Sequence, residues 1–508
     1  AVVPAFAALL VTAPLVRVLP AASTDPAPGR VRFTDVTAAS GITFVNATGD
    51  PDRKDYIFEV KGGGVGALDY DNDGFVDLVF SRGSSIERWR RGDNPGPVLY
   101  RNRGDGTFED VTTKAGLTRG GWGVGVSAAD YDNDGWVDLY LTNLGPDVLY
   151  RNDGDGTFTD VTERAGIRAP GWSSSAAFGD FDRDGHLDLY VASYLDVGPD
   201  NLPEGRAGGT CSYVGVPVLC GPRGLPGARD LYFRSNGDGT FAEQSEASGA
   251  HDKEAYFGLG VVASDLDGDG DLDLYVGNDA TPNYLFVNRG DGRFDERGFP
   301  SGTAVSGDGN EQASMGVDAG DYDNDGRPDL YAAHFASDYS TLYRNLGGLL
   351  FEDVTARARV KEPGWPYVKW GTGFADFDQD GWLDLVHANG HVYPHLRGTS
   401  SRETYEQPAL SVYRSDGDGA FADVSAGSGA TKPVLGRGTA FADLDNDGDL
   451  DVVVACLDGA PLVLRNDTPG GHWLQLRAVG RKSNRDAIGA KVTVRTTRLT
   501  QLREVKRT

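Results

Sequence analysis

Asp69-Tyr70-Asp71-Asn72-Asp73-Gly74-Phe75-Val76-Asp77 is the first of seven stretches with the pattern Asp-x-Asp-x-Asp-Gly-x-x-Asp. The others begin at Asp130, Asp180, Asp265, Asp321, Asp376 and Asp443, and all 28 Asp positions are filled. Four carboxylates on one short loop repel one another by roughly 3 kcal/mol per pair at about 5 Å and an effective dielectric near 20. A cation between them removes that cost. Oxygen ligands at positions 1, 3, 5 and 9, with Gly at position 6 for the sharp turn, suit calcium. The expected ligands, for up to seven Ca2+ ions, are Asp69, Asp71, Asp73 and Asp77; Asp130, Asp132, Asp134 and Asp138; Asp180, Asp182, Asp184 and Asp188; Asp265, Asp267, Asp269 and Asp273; Asp321, Asp323, Asp325 and Asp329; Asp376, Asp378, Asp380 and Asp384; and Asp443, Asp445, Asp447 and Asp451.

The surroundings of the loops recur as well. Before a loop comes a small-residue strand (Gly125-Val126-Ser127-Ala128-Ala129), and after it an apolar one (Leu139-Tyr140-Leu141). Then follow Leu149-Tyr150-Arg151-Asn152, the turn Gly154-Asp155-Gly156, and a strand beginning Thr157-Phe158-Thr159-Asp160-Val161. This makes four short strands per unit with hairpin chemistry between them. The apolar strands are continuous rather than alternating, so both faces are buried, as when small sheets are stacked radially around an axis. Five residues before the loops stand Gly64, Gly125, Ser175, Gly260, Gly316, Gly371 and Gly438, all small, as crowded inner strands require. The expected fold is all-β: a seven-bladed β-propeller with calcium-binding hairpin loops over residues 31–466, with an insertion at 193–230. Phe33-Thr34-Asp35-Val36-Thr37 precedes the first loop, whereas Leu462-Val463-Leu464-Arg465-Asn466 lacks a following Phe strand, so the amino-terminal strand is expected to complete the last blade. Units four to six are less regular, with Phe294-Asp295-Glu296 lacking Val-Thr and Leu346-Gly347-Gly348 replacing the turn. An EF-hand commonly has a Glu at position 12 and needs flanking helices. Position 12 here is Phe80, Leu141, Val191, Val276, Ala332, His387 or Val454, in strand-like runs.

The formal net charge of −27 is largely a property of these loops, and seven divalent ions would offset about half of it. No basic face is evident over most of the chain, which argues against nucleic acid as a partner. Residues 470–508 reverse the balance with ten Lys/Arg against Asp486 and Glu504. Residues 1–22 are apolar and Ala/Pro-rich and read as part of a signal peptide, truncated at its start. Pro4, Pro14, Arg17 and Pro20 interrupt them too often for a stable membrane span. A secreted, extracellular or periplasmic location is therefore expected, where a calcium level of roughly 10⁻⁴–10⁻³ M suffices for such loops. Cys211 and Cys220 share a Gly/Pro-rich segment and are placed to close a disulfide, while Cys456 reads as a buried small hydrophobe.

On these loops, the Phe-x-Asp-Val-Thr strands and the elements Phe257-Gly258, Trp122-Gly123 and Trp370-Gly371, the chain resembles FG-GAP/VCBS repeats, the blades of the integrin α-subunit propeller. His472-Trp473-Leu474-Gln475-Leu476, Ser483-Asn484-Arg485-Asp486-Ala487-Ile488-Gly489-Ala490 and Gln501-Leu502-Arg503-Glu504-Val505 look like the start of an ASPIC/UnbV-type domain over residues 467–508, an incomplete small β domain. Together with the segment Cys211 to Pro226 and Asn389-Gly390-His391-Val392-Tyr393, this arrangement resembles the cartilage acidic protein family. The resemblance implies a secreted calcium-binding protein and implies no reaction.

Several further motifs have bland readings. Arg-Gly-Asp at 103–105 and 289–291 falls on the hairpin turn, and only the copy at 91–93 lies in an inserted loop. His387, His391 and His395 are four apart, but Pro394 breaks any helix that would align them for zinc. Trp122, Trp172 and Trp365 lie in connections to inner strands and, with His391 and Tyr393, are candidate ligand-facing residues of one rim; blade packing is the competing role for the tryptophans. No catalytic constellation is visible, so the protein is read as a non-enzymatic binding or adhesion module for a glycan or an extracellular protein. The alternatives are a calcium-dependent polysaccharide lyase or hydrolase, needing His391, Tyr393, Arg397 or His334 to converge in the channel, and a structural surface or matrix protein.

Overall fold

The computed structural model describes residues 31–202, 211–361, 363–398 and 403–506, so the signal peptide read at 1–22 lies outside the described residues. Seven four-stranded antiparallel sheets form. Blade two is representative: Trp122–Ala129, Asp138–Leu144, Val148–Asn152 and Phe158–Asp160, paired in sequence order. Its second strand is buried at every position, as the unbroken apolar run required, because each of its faces meets a neighbouring strand or blade. The irregular units still build complete sheets. Phe294–Glu296 pairs with Tyr284–Asn288, and Leu350–Asp353 pairs with Thr341–Gly347 through a bulge.

The ring closes as the chain ends foretell. Phe33–Asp35 is the outer strand of blade seven and pairs with Leu462–Asn466 in the register Phe33↔Asn466, Thr34↔Arg465, Asp35↔Leu464. The amino-terminal strand is thus hydrogen-bonded to a strand about 430 residues away in sequence, which makes opening the ring a matter of breaking a β-ladder.

Inner strands surround a channel with a cavity of about 210 Å³. Gly64, Gly125, Ser175, Gly260, Gly316, Gly371 and Gly438 all line it. The reason is contact between blades rather than backbone twist. A Cβ on Gly316 would lie 2.1 Å from the carbonyl oxygen of Trp370 in the next blade, and one on Gly371 would lie 2.6 Å from the backbone nitrogen of Thr439. Gly316→Ala is therefore expected to cost about 1–3 kcal/mol by overpacking. Ser175→Ala, at the one ring position that already carries a side chain, should change stability by less than about 0.5 kcal/mol. Equal melting temperatures for the two variants would contradict this account of the ring.

Because each blade is an antiparallel meander, the aspartate loops and the Gly-x-Gly hairpin turns project from one face of the disc. The connections between second and third strands, and those between blades, project from the other. That second face carries the inserted segments. One holds Cys211 and Cys220, joined in a disulfide with a Cα–Cα distance of 5.3 Å. Cys456 is a free, buried thiol in the second strand of blade seven. Beyond blade seven the chain returns across the aspartate face as an irregular segment and one hairpin, Lys491–Arg495 with Thr500–Glu504. It touches all seven blades, at Asn72, Asn133, Gly185, Asp265, Gly381 and Gly448 in the loops and at Asp318 in the first strand of blade five. No helix among the described residues is long and apolar enough to cross a membrane.

Candidate functional site

Each aspartate loop joins the first strand of its blade to the second, and the ninth position is the first residue of that second strand. All seven ninth-position carboxylates, Asp77, Asp138, Asp188, Asp273, Asp329, Asp384 and Asp451, are 2% exposed or less. In every blade one of their oxygens accepts the backbone N–H of a residue at the end of the third strand, the last residue in six blades and the third from last in blade five. These donors are Asn102, Asn152, Ser235, Asn288, Asn345, Ser415 and Asn466, at 2.7–2.9 Å. In six blades the other oxygen accepts the N–H of the second loop residue, as Tyr131 donates to Asp138 at 3.1 Å. The ninth aspartate therefore ties the loop to its own blade, besides presenting a carboxylate inward.

The first-position carboxylate is held by the glycine at position 6, whose N–H donates to it, as Gly135 does to Asp130 at 2.8 Å. Position 6 has φ near +90° to +99° in all seven loops, a backbone state that only glycine adopts freely. Position 4 is also left-handed, at φ +54° to +62° for Asn72, Asn133, Arg183, Asn324, Gln379 and Asn446, and is Gly268 in blade four. Two left-handed residues two apart curl the loop so that its carboxylates converge. In blade one an oxygen each of Asp69, Asp71 and Asp77 lies within 4.8 Å of the others, and the same holds for Asp130, Asp132 and Asp138. The corresponding sets in blades three, four and five are Asp180, Asp182 and Asp184; Asp265, Asp267 and Asp269; and Asp321, Asp323 and Asp325.

Converged carboxylates out of water resist ionisation. Burial pushes Asp77, Asp188 and Asp273 up to about 8 and Asp451 to about 7, and drives Asp138, Asp329 and Asp384 well above the usual carboxylate range. Asp130 and Asp376 are pushed up to about 7, by burial first and by neighbouring loop carboxylates as well. Some charge is offset by arginines of the third strands: Arg101 pairs with Asp71 and Asp73, Arg344 with Asp323 and Asp325, and Arg234 with Asp182. One oxygen each of Asp71, Asp130, Asp180, Asp321 and Asp378 is nonetheless buried without a hydrogen-bond partner. Leaving such an oxygen bare costs about 1–3 kcal/mol, more for a charged group, and a cation in the loop repays it. The donors are all oxygen, which suits a hard cation such as calcium and disfavours zinc or copper.

Sequence reasoning missed two sets of residues that link the loops. Side chains at position 4 reach the position-6 carbonyl of the following blade: Asn72 to Gly135, Asn133 to Gly185, Asn324 to Gly381, Gln379 to Gly448, and Asn446 across the closure to Gly74, at 2.9–3.2 Å. In the opposite direction, third-strand asparagines donate to the preceding blade. Asn102 reaches the Leu444 carbonyl, Asn152 that of Tyr70, Asn288 that of Phe181, Asn345 that of Leu266 and Asn466 that of Phe377. The signal was present, since Asn recurs at position 4 and after Arg in the third strand, but its partner lies one blade away.

The candidate rim residues divide. Trp122 and Trp172 are each 1% exposed, and Phe58 in the turn Ile57–Val60 stands edge-on to both, with ring centroids at 5.2 and 6.1 Å. They pack the second face from within and offer no platform, because residues preceding the first loop fold over them. His391 is also fully buried; its Nδ1 accepts the N–H groups of Val392 and Tyr393, and burial pushes its pKa down to about 3. Tyr393 is half-buried and Trp365 is 43% exposed, so these two keep a surface. Tyr393 lies 5.0 Å from the Tyr213 ring and 5.9 Å from His395, and it lines a cavity of about 110 Å³ with Asp52, Arg53, Lys54 and Leu219. His387 is buried in the strand Asp384–Asn389, and the three histidines do not align. His334, His391, Tyr393 and Arg397 are absent from the channel lining, so they do not form the cluster that a channel-borne enzyme needs. In the Arg-Gly-Asp copy at 91–93, Arg91 and Asp93 pair with each other at 3.0 Å.

A ring of seven four-stranded blades, each with one aspartate hairpin between its first two strands, defines a repeat propeller of the FG-GAP kind. The family model described as FG-GAP-like repeat matches residues 69–141, 130–191, 224–276, 265–332, 321–387 and 400–454, more than half of the chain, and the protein belongs to that family. Among curated relatives, cartilage acidic protein 1 of Mus musculus is 27% identical over 263 residues, covering 44% of this chain and 37% of that protein. Its Homo sapiens counterpart is 26% identical over 246 residues, covering 47% and 34%. The chain thus spans about a third of the length of the curated relatives it matches. Among solved structures, an Agrocybe aegerita lectin that recognises non-reducing terminal N-acetylglucosamine matches with a TM-score of 0.39 at 18% identity, covering 71% of this chain and 80% of the lectin. YCF48 bound to D1 peptide matches with 0.42 at 10%, covering 83% and 98%.

Proposed function

We propose that the protein is a secreted, calcium-stapled propeller that acts as a binding or adhesion module for a glycan or an extracellular protein. The observation that carries this reading is the division of labour between the two faces. Seven carboxylate sets, each with a buried ninth position and five with an oxygen left without a partner, sit on one face. The inserted loops, the disulfide and the half-exposed aromatics sit on the other. Ions on the first face stiffen the ring, and a stiff ring holds the loops of the second in a fixed arrangement at little entropic cost on binding. The ligand surface is the cleft bordered by Asp52, Arg53, Leu219, Tyr393 and His395. Its mix of an aromatic ring, cations and a carboxylate suits a polar ligand with an apolar face, such as a sugar.

A glycan array probed with the protein in millimolar calcium and again in chelator tests this. Binding to a defined sugar class that weakens at least tenfold in Tyr393→Ala is the expected result. Absence of sugar binding in both conditions would remove the glycan half and leave a protein partner.

A further inference from the structure

The segment that follows the ring does more than run across the aspartate face. At blade two the backbone N–H of Asp130, the first-position ligand, donates to the Asp486 carboxylate at 2.9 Å. The Arg485 guanidinium stands 3.9 Å from Oδ2 of the same Asp130, and the Arg485 N–H donates to Asn133 Oδ1 at 2.7 Å. At blade four the arrangement repeats with residues from the terminal hairpin. The N–H of Asp265 donates to Glu504 at 3.1 Å, the Ser264 hydroxyl donates to the same carboxylate, and Lys491 Nζ lies 2.6 Å from Asp265 Oδ2. In both loops an acid grips the backbone of the first ligand and a base faces the outer oxygen of its side chain.

The chemistry of this clamp is specific about which oxygen it uses. Oδ2 of Asp130 and of Asp265 is the oxygen that already accepts the position-6 glycine N–H. The base therefore adds to a satisfied oxygen outside the loop. Oδ1 of Asp130, in a residue only 2% exposed, has no hydrogen-bond partner and is left for a cation shared with Asp132 and Asp138. One added acid and one added base cancel in charge, so the clamp changes the electrostatic attraction for a cation little. Its effect is to fix the rotamer and backbone of the first ligand before the ion arrives, which removes an ordering cost from binding.

We propose that the segment containing residues 485–504 completes the metal sites of blades two and four, with Asp486 and Glu504 as positioning residues. Ion binding there and seating of the segment reinforce each other. This rests on the calcium reading of the loops. By linkage, the factor by which the seated segment tightens the two ions equals the factor by which those ions tighten the segment, and such couplings run at about 5–150-fold. Calcium then acts as the latch that holds this segment on the aspartate face of the ring.

Calorimetric calcium titration of the full chain against the double variant Asp486→Asn/Glu504→Gln tests the first half, and hydrogen exchange over residues 484–506 in calcium and in chelator tests the second. Two ions weakened about tenfold, with the other five unchanged as an internal check on folding, and faster exchange of the segment in chelator are expected. A variant that titrates like the parent protein would overturn the proposal, as would a segment equally or better protected in chelator. A parent protein that takes up no calcium would instead sink the calcium reading, so the two failures are told apart in one experiment.

Discussion

Chelating calcium is expected to lower the melting temperature by about 10 °C. If each of seven sites is held at ten times its dissociation constant, mass action contributes about 1.4 kcal/mol per ion and roughly 10 kcal/mol in all. Over roughly 430 ring residues, with about 2.1 cal/mol/K of unfolding entropy each, that free energy corresponds to about 10 °C. The direction is set by the carboxylates. In the buried ninth positions desolvation opposes ionisation, and an ion that relieves it binds the folded ring and not the unfolded chain. Differential scanning calorimetry in millimolar calcium and in excess chelator gives the answer. A melt that does not move would remove the calcium claim.

Within one loop, Asp138→Ala should cost far more than Asp132→Ala. Asp132 is half-buried and has no backbone tie to the third strand, so its loss removes one ion, about 1.4 kcal/mol under the same condition. Asp138 is fully buried and accepts the N–H groups of Tyr131 and Asn152, at 3.1 and 2.7 Å. Its removal leaves both donors buried and unpaired as well, for a total of about 3–5 kcal/mol. The two variants separate further in chelator. There Asp132→Ala becomes neutral or mildly stabilising, because a repelling charge is gone, whereas Asp138→Ala stays destabilising. Calorimetric titration should count six tight ions in each. If the two variants lose the same stability in chelator, the structural role assigned to the ninth aspartate is wrong.

The regular features were legible because they repeat. Seven copies of one loop, seven small residues five positions upstream, and a Phe strand present before the first loop but missing after the last led to seven blades and to the closure at Phe33–Asp35. Repetition supplies seven readings of the same environment, so a departure such as Gly347-Gly348 in the turn does not obscure the pattern. The convergence of the aspartate loops was legible for the same reason, since their carboxylates are brought together by residues inside a nine-residue stretch. The rim was not. From their place in connections, Trp122 and Trp172 could either face a ligand or pack between blades, and His391 read as ligand-facing; the turn Ile57–Val60 and the ring of Tyr213 cover all three. Both covering elements belong to segments outside the repeat, with no sister copy to compare.

What the amino-acid sequence determined alone is whatever local periodicity encodes: the blade count, the strand order, the carboxylate sets and the small inner strands that let blades approach. What only the tertiary structure decided is everything that joins residues distant along the chain without a repeating register. The asparagine links between successive loops, the burial of the rim tryptophans, and the grip of Asp486 and Glu504 on Asp130 and Asp265 are of this kind. The physical reason is that a side chain's type and local strand fix its direction within a blade, while its partner is set by how the blades pack and by where a non-repeating segment comes to rest.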